Sequence, residues 1–141
     1  MARERIDLPE TLPYRHSLII RVTDINHGGH MGNERVLIYC QEARAAWLAS
    51  LGLGEGDVGG VGLVVADAAI RFRAEGFAGD CLDIDIGAAA FHRRGCDFFY
   101  RLTRRADCRE VARARTGIIC FDYQRRRPAN APPRFREQLS D

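Results

Sequence analysis

A run of period-two patterns in the second half of the chain restricts its fold more than any other feature. Ala68, Ile70, Phe72 and Ala74 alternate with Ala69, Arg71, Arg73 and Glu75; the turn GFAGD follows; then Leu82, Ile84 and Ile86 alternate with Asp83 and Asp85. Successive side chains of a strand point to opposite faces, so each alternation predicts a half-buried strand. FHRRG separates the second strand from CDFFYRLTR, ADCRE makes another turn, and VARARTGIICFDY is the last long strand. Four strands joined by short turns predict an antiparallel sheet.

The first half supplies one more strand and one helix. From Tyr14, Leu18, Ile20 and Val22 alternate with Ser17, Arg21 and Thr23, and this strand is expected to run directly into DINHGGHMGN, residues 24–33. Asn33 then suits a helix N-cap, with Glu34 in the first turn, where negative charge meets the positive end of the helix dipole. Val36, Cys40, Ala43, Trp47 and Leu51 recur at helical spacing and form one apolar stripe. The stripe stops at Gly52, where LGLGEGDVGGVGL reads as a flexible connection, because its glycines fit no phosphate-loop pattern. The whole is an α+β domain spanning residues 1–141, with an irregular arm at 1–13 and a Pro/Arg-rich tail at 125–141. One helix cannot cover both faces of the sheet, which predicts pairing of two chains.

Composition narrows the function classes. At 141 residues and 46% hydrophobic, one core is affordable. No apolar run reaches the roughly 20 residues that cross a bilayer, and the start MARERIDLPE has no apolar signal core, so a cytoplasmic protein without membrane association is expected. Cys40, Cys81, Cys96, Cys108 and Cys120 are odd in number and contain no C-x-x-C, which argues against a disulfide framework and a structural zinc site. Every Lys or Arg position is Arg; residues 1–70 hold 6 Arg against 9 acids and residues 71–141 hold 15 against 10. The second half attracts phosphate-bearing ligands, but no aromatic-basic interleaving points to nucleic acid.

The chemistry-bearing residues gather where the first strand meets the helix. Unpaired backbone N–H groups at a helix entrance suit a polarised carbonyl, and Gly28, Gly29 and Gly32 allow close approach of a ligand. Asp24 and Asn26 lie two apart and point the same way if the strand stays extended. With His30 they offer a base or nucleophile, an orienting amide and a proton donor or acceptor. Glu42 borders the buried helix face and is placed to look into a cleft. Blander roles compete: turn hydrogen bonds for Asp24 and Asn26, and ion pairs of Glu42 with Arg35 or Arg44. His27 and His30 form H-x-x-H without a third ligand at metal spacing, so no metal site is expected.

RVTDINHGGHMGN, IYCQEARAAWLASLGL, AAIRFRAEGFAGDCLDIDI and the closing strands together resemble the hot-dog-fold acyl-CoA thioesterases, in the branch related to 4-hydroxybenzoyl-CoA thioesterase. The likeness covers about residues 14–124; its most specific parts are D-x-N-x-G-G-H-x-x-N and the following E-A-R. It implies a hot-dog fold, an antiparallel sheet wrapped around one long central helix. It also implies side-by-side dimers, dimers of dimers, and acyl-CoA bound at the subunit interface. Hydrolysis in the family uses a carboxylate as nucleophile or general base and backbone N–H groups to polarise the thioester, with no cofactor beyond CoA itself. In the D-x-D branch the second acid is catalytic, and the matching residue here is Asn26. An amide cannot fill that role, which passes to Glu42 in preference to Asp24, with Asn26 and His30 orienting thioester or water. Gly28, Gly29 and Asn33 are then expected to contact substrate. Arg93 and Arg94, with Arg71 or Arg73, are candidates for the CoA phosphates by charge. Two other readings remain at this point: a hot-dog enoyl-CoA hydratase, whose D-x-N-x-x-H motif is close to Asp24, Asn26 and His30, and a non-catalytic acyl-CoA binder.

Overall fold

A computed structural model describes residues 5–140. Residues 1–4 of the expected arm and residue 141 of the tail lie outside the described residues. The elements are β1 (Tyr14–Ile19), α1 (Arg35–Ser50), β2 (Gly62–Phe72), β3 (Cys81–His92), β4 (Gly95–Arg104), β5 (Arg109–Asp122), β6 (Arg127–Pro128) and α2 (Pro133–Leu139), with one 3₁₀ turn at Val22–Asp24. The strands form a single antiparallel sheet in the order β1-β3-β4-β5-β2, and β6 pairs with β5. This is the expected α+β arrangement, with one long helix laid on one face of the sheet.

The predicted stripe of α1 is its contact face. Val36, Cys40, Ala43 and Trp47 are buried, joined by Tyr39 and Leu48. They meet the inward residues of β3 and β4, among them Ile84, Ile86, Phe98 and Tyr100, and the Trp47 and Phe98 rings lie 5.6 Å apart. Each such aliphatic or aromatic side chain removed from water contributes about 1.5–3 kcal/mol, so this layer dominates the stability of the fold. The hairpin β3–β4 closes tightly on β5: a Cβ at Gly95 would lie 1.9 Å from the carbonyl oxygen of Ile118, so only glycine fits. The Pro/Arg-rich tail carries the short helix α2, which buries its apolar Phe135 and Leu139.

Three local expectations are corrected. β1 stops at Ile19, since Ile20 donates its N–H to Asp80 and accepts from Gly79, which ties the chain to the β2–β3 turn; Val22 is consequently exposed. Asn33 is not the N-cap: α1 starts at Arg35, with Glu34 at the cap position and no side-chain cap, because the carbonyls of Gly32 and Asn33 accept the first amides. The glycine-rich connection is pinned rather than loose. Leu53 and Val58 are buried, Glu55 accepts from the buried Arg44, and Asp57 accepts from the amides of Gly59 and Gly60.

β2 begins at Gly62, six residues before the alternation is clear, and its register shifts between Val65 and Asp67. It is an outer strand, and Val65 and Phe72 are exposed on it. The sheet face away from α1 carries charge. Asp83 and Asp85 are buried there beneath Arg15, Arg101 and Arg105, which pair with them at 2.7–3.2 Å.

Candidate active site

The stretch 24–33 folds into a small closed loop. Asn26 accepts from Gly28 through its side-chain oxygen at 2.9 Å and from Gly29 through its backbone carbonyl at 3.1 Å. The Asn26 N–H in turn reaches the carbonyl of His30 at 2.9 Å, and Gly32 donates to Asp24 at 2.9 Å. Gly29 sits at φ +78, a left-handed conformation that glycine adopts without the Cβ penalty. The amides of Gly28, Gly29 and Gly32 therefore serve the loop itself. Among the described residues, those of Asn33 and Glu34 at the entrance of α1 enter no hydrogen bond.

The loop separates two cavities. The larger, about 520 Å³, lies between β1, the 3₁₀ turn and α1; Asp24, Arg35, Ile38, Tyr39 and Glu42 line it, with Leu18 and Ile19 supplying an apolar wall. The smaller, about 260 Å³, is lined by His30, Met31, Asn33, Phe72, Arg73 and Gly76 among others. Within one chain, Asp24 and Glu42 thus share a cavity, while His30 and Asn33 open onto the other. Asn26 is occupied in its turn. Arg93 and Arg94 lie on the β3–β4 turn, at the opposite end of β3 from Cys81, which pairs with the last residue of β1. Of the other two arginines, Arg73 pairs with Glu110 at 3.1 Å.

The two carboxylates of the larger cavity differ in their freedom. Asp24 is almost wholly enclosed and accepts from the Tyr39 hydroxyl at 2.8 Å and the Arg21 N–H at 3.2 Å, with an Arg35 guanidinium nitrogen at 3.5 Å. Burial raises its carboxyl pKa, but Tyr39, the Arg21 amide and Arg35 outweigh that and hold it below the usual range. Glu42 stands on the solvent side of α1, and its side chain is 53% exposed. Its Oε2 lies 2.5 Å from Nε2 of His16, while Oε1 makes no hydrogen bond among the described residues. Neither expected partner is used: Arg35 turns to Asp24 and Glu34, and Arg44 to Glu55 and Tyr100.

Two residues of this site were absent from the sequence reading as functional groups. His16 belongs to the inward parity of β1, shared with Tyr14 and Leu18, and that parity was the available signal. Arg35 contributes a guanidinium to the cavity wall, and its buried Nε has no hydrogen-bond partner.

Residues 20–139 match the model of the thioesterase-like superfamily. The chain belongs to that superfamily. The thioesterase is 30% identical over 130 residues to a 1,4-dihydroxy-2-naphthoyl-CoA hydrolase of Synechococcus elongatus, covering 89% of this chain and 94% of the relative. Its fold resembles that of a 1,4-dihydroxy-2-naphthoyl-CoA thioesterase from Synechocystis, with a TM-score of 0.82, 23% identity, and coverage of 91% and 96% of the two chains. A Staphylococcus aureus protein solved in complex with CoA is also similar, with a TM-score of 0.80, 18% identity, and coverage of 89% and 80%. The hot-dog fold and thioester hydrolase activity implied by the sequence motifs are thereby met. No helix among the described residues of this thioesterase is long and apolar enough to cross a membrane.

Proposed function

We propose that this thioesterase hydrolyses small or medium acyl-CoA thioesters to the carboxylic acid and free CoA, with Glu42 as general base. The observation that carries this reading is the contrast inside one cavity: Asp24 is enclosed, with Tyr39 and Arg21 bonded to its Oδ2 and Arg35 3.5 Å from its Oδ1, whereas Glu42 is half-exposed and its Oε1 meets no partner among the described residues. Glu42 takes a proton from water as the water oxygen bonds to the thioester carbon. The carbon–sulfur bond then breaks, and the proton passes to the CoA sulfur. Arg35 lines the same cavity and carries the fixed positive charge that a developing oxyanion requires. The apolar wall of Leu18, Ile19 and Ile38 suits an acyl group, and the 1,4-dihydroxy-2-naphthoyl group in the relatives' names lies within this size range. Hydrolysis by water calls for no redox cofactor and no metal.

The working unit in this proposal is a homodimer, itself able to pair into a dimer of dimers, in the cytoplasm. Exposed Val65 and Phe72 on outer strand β2, and exposed Ile19 and Ile38 at the cavity, are apolar surface that a second chain would cover. The five thiols are unpaired, which suits a reducing compartment. A second chain also offers a route for the helix-entrance amides and His30 of one subunit to face the carboxylate of the other, and for Arg93 and Arg94 to approach the CoA phosphates.

The test is release of free thiol from a panel of aliphatic and aromatic acyl-CoAs, read with a thiol reagent, alongside light scattering for mass. Turnover with a dimer or larger mass is the expected result. Tight acyl-CoA binding without thiol release would overturn hydrolysis in favour of a binding protein.

A further inference from the structure

We infer that His16 is a positioning residue for Glu42, holding the carboxylate so that one oxygen faces the cavity. This inference rests on the general-base reading of Glu42 above. β1 places His16 on its inward face, between Tyr14 and Leu18, while Arg15 and Ser17 on the outward face bond Asp85 and Asp83. α1 crosses that inward face and brings Glu42 over the strand, so Nε2 and Oε2 meet at 2.5 Å across 26 residues of sequence. His16 is the better enclosed partner, its side chain 23% exposed against 53% for Glu42. The strand is thus the anchor and the helix side chain the part that needs anchoring.

The chemistry fixes the direction of the bond. An ionised carboxylate has no hydrogen to give, so Nε2 of His16 carries the hydrogen and donates it. One oxygen of Glu42 is thereby committed to His16, and the other, Oε1, is left without a hydrogen bond among the described residues, on a side chain that lines the cavity with Tyr39 and Arg35. A glutamate on an open helix surface samples several rotamers; a donor on a neighbouring strand selects one. Holding a base in register is worth a large factor, since a misplacement of about 1 Å at a reacting group can cost about a hundredfold in rate. His16 touches neither the reacting carbon nor the water in this arrangement. It acts through Glu42 alone.

Three variants and one double variant test the pair in the full-length protein, with thermal unfolding measured on each to confirm folding. Glu42→Gln should lower kcat by about a hundredfold or more, as loss of a general base does. His16→Phe should lower kcat by about tenfold to a hundredfold and leave KM within about twofold, because the substrate is held elsewhere. His16→Gln, which keeps an N–H donor on a side chain of similar reach, should recover most of that loss. The double variant of Glu42→Gln with His16→Phe should be no slower than Glu42→Gln alone, since nothing remains to be positioned. If His16→Phe keeps full kcat while Glu42→Gln is inactive, positioning by His16 is overturned and the base assignment stands. If His16→Phe and Glu42→Gln multiply in the double variant, His16 acts independently of Glu42 and the inference likewise fails. Full activity of a folded Glu42→Gln overturns both the base and its positioning.

Discussion

Tyr39 and Asp24, fifteen residues apart, are joined by a 2.8 Å hydrogen bond in which the phenol donates to the carboxylate. The bond ties the first turns of α1 to the end of the 3₁₀ turn and so fixes the mouth of the larger cavity. Burial, reinforced by the neighbouring Asp24 charge, pushes the Tyr39 phenol well above its ordinary value and keeps it a donor. In the proposed mechanism Asp24 is therefore a structural acid beside the base. Asp24→Asn and Tyr39→Phe should each destabilise the fold by about 1–3 kcal/mol in urea unfolding, with the double variant losing less than the sum. Asp24→Asn should keep clearly more turnover than Glu42→Gln; the reverse order in a thiol-release assay would reassign the base.

Asn26 occupies the position where the D-x-D branch carries its acid, yet its side chain accepts from the Gly28 amide. A carboxylate oxygen can accept that same bond. Asn26→Asp should therefore unfold within about 0.5 kcal/mol of the parent, whereas Asn26→Ala, which removes the side-chain bond to Gly28, should lose about 1 kcal/mol. Thermal or urea unfolding of the two variants decides this. A large loss in Asn26→Asp would mean that the loop excludes a charge at this site.

The buried Arg44 is held by Glu55 from the glycine-rich connection and by the hydroxyl of Tyr100, which also bonds Thr116 at 2.8 Å. Arg44 is enclosed and Glu55 is one-third exposed, so water partly replaces a lost partner. Glu55→Ala should cost about 2–3 kcal/mol, below the roughly 3–5 kcal/mol of a fully buried broken pair. Tyr100→Phe should cost about 1 kcal/mol. Proteolysis within residues 52–62 should accelerate in Glu55→Ala and stay slow in Tyr100→Phe.

Acid should unfold the protein through carboxylates whose folded values lie below their unfolded ones. For Asp83 the hydrogen bond from Arg105 leads, against burial, with Ser17 and Arg15 adding to it; for Asp24 burial is outweighed as described. Arg104 holds Asp107 at about 2. A lowered carboxylate contributes stability that is complete above its unfolded value, near 3.9, and that disappears as pH falls through the folded value. These groups should leave the melting temperature flat between about pH 5 and 7 and lower it between about pH 4 and 2, with Asp83→Asn flattening the acid limb.

The strands β3, β4 and β5 and the stripe of α1 were legible because burial repeats at two and at 3.6 residues, whatever the partner. The start of β2 was not, since Gly-Leu-Val-Val-Ala-Asp has no alternation and a register shift interrupts it after Val65. The end of β1 was missed for a different reason. Ile20 and Val22 keep the strand parity, and the capture of Ile20 by residues 79 and 80 is a tertiary event. At the site, Asp24 and Glu42 could be picked out by residue type, and the motif located them. What separates a tied acid from a free one is Tyr39, Arg35 and His16, which approach from other elements. No local pattern encodes such meetings, apart from the strand parity that marks His16.

β1 is hydrogen-bonded to the rest of the sheet through β3 alone, pairing residues as much as seventy-two positions apart, Tyr14 with Ile86, whereas β3, β4 and β5 form a meander of neighbours. In amide exchange, a six-residue outer strand of this kind opens by local fluctuation, while the central strand β4 exchanges only on global unfolding. The strand bearing His16 should therefore open before β4 does. Bound ligand filling the space between β1 and α1 should slow exchange there first, so that occupancy of the cavity is recorded in the protection of residues 14–19.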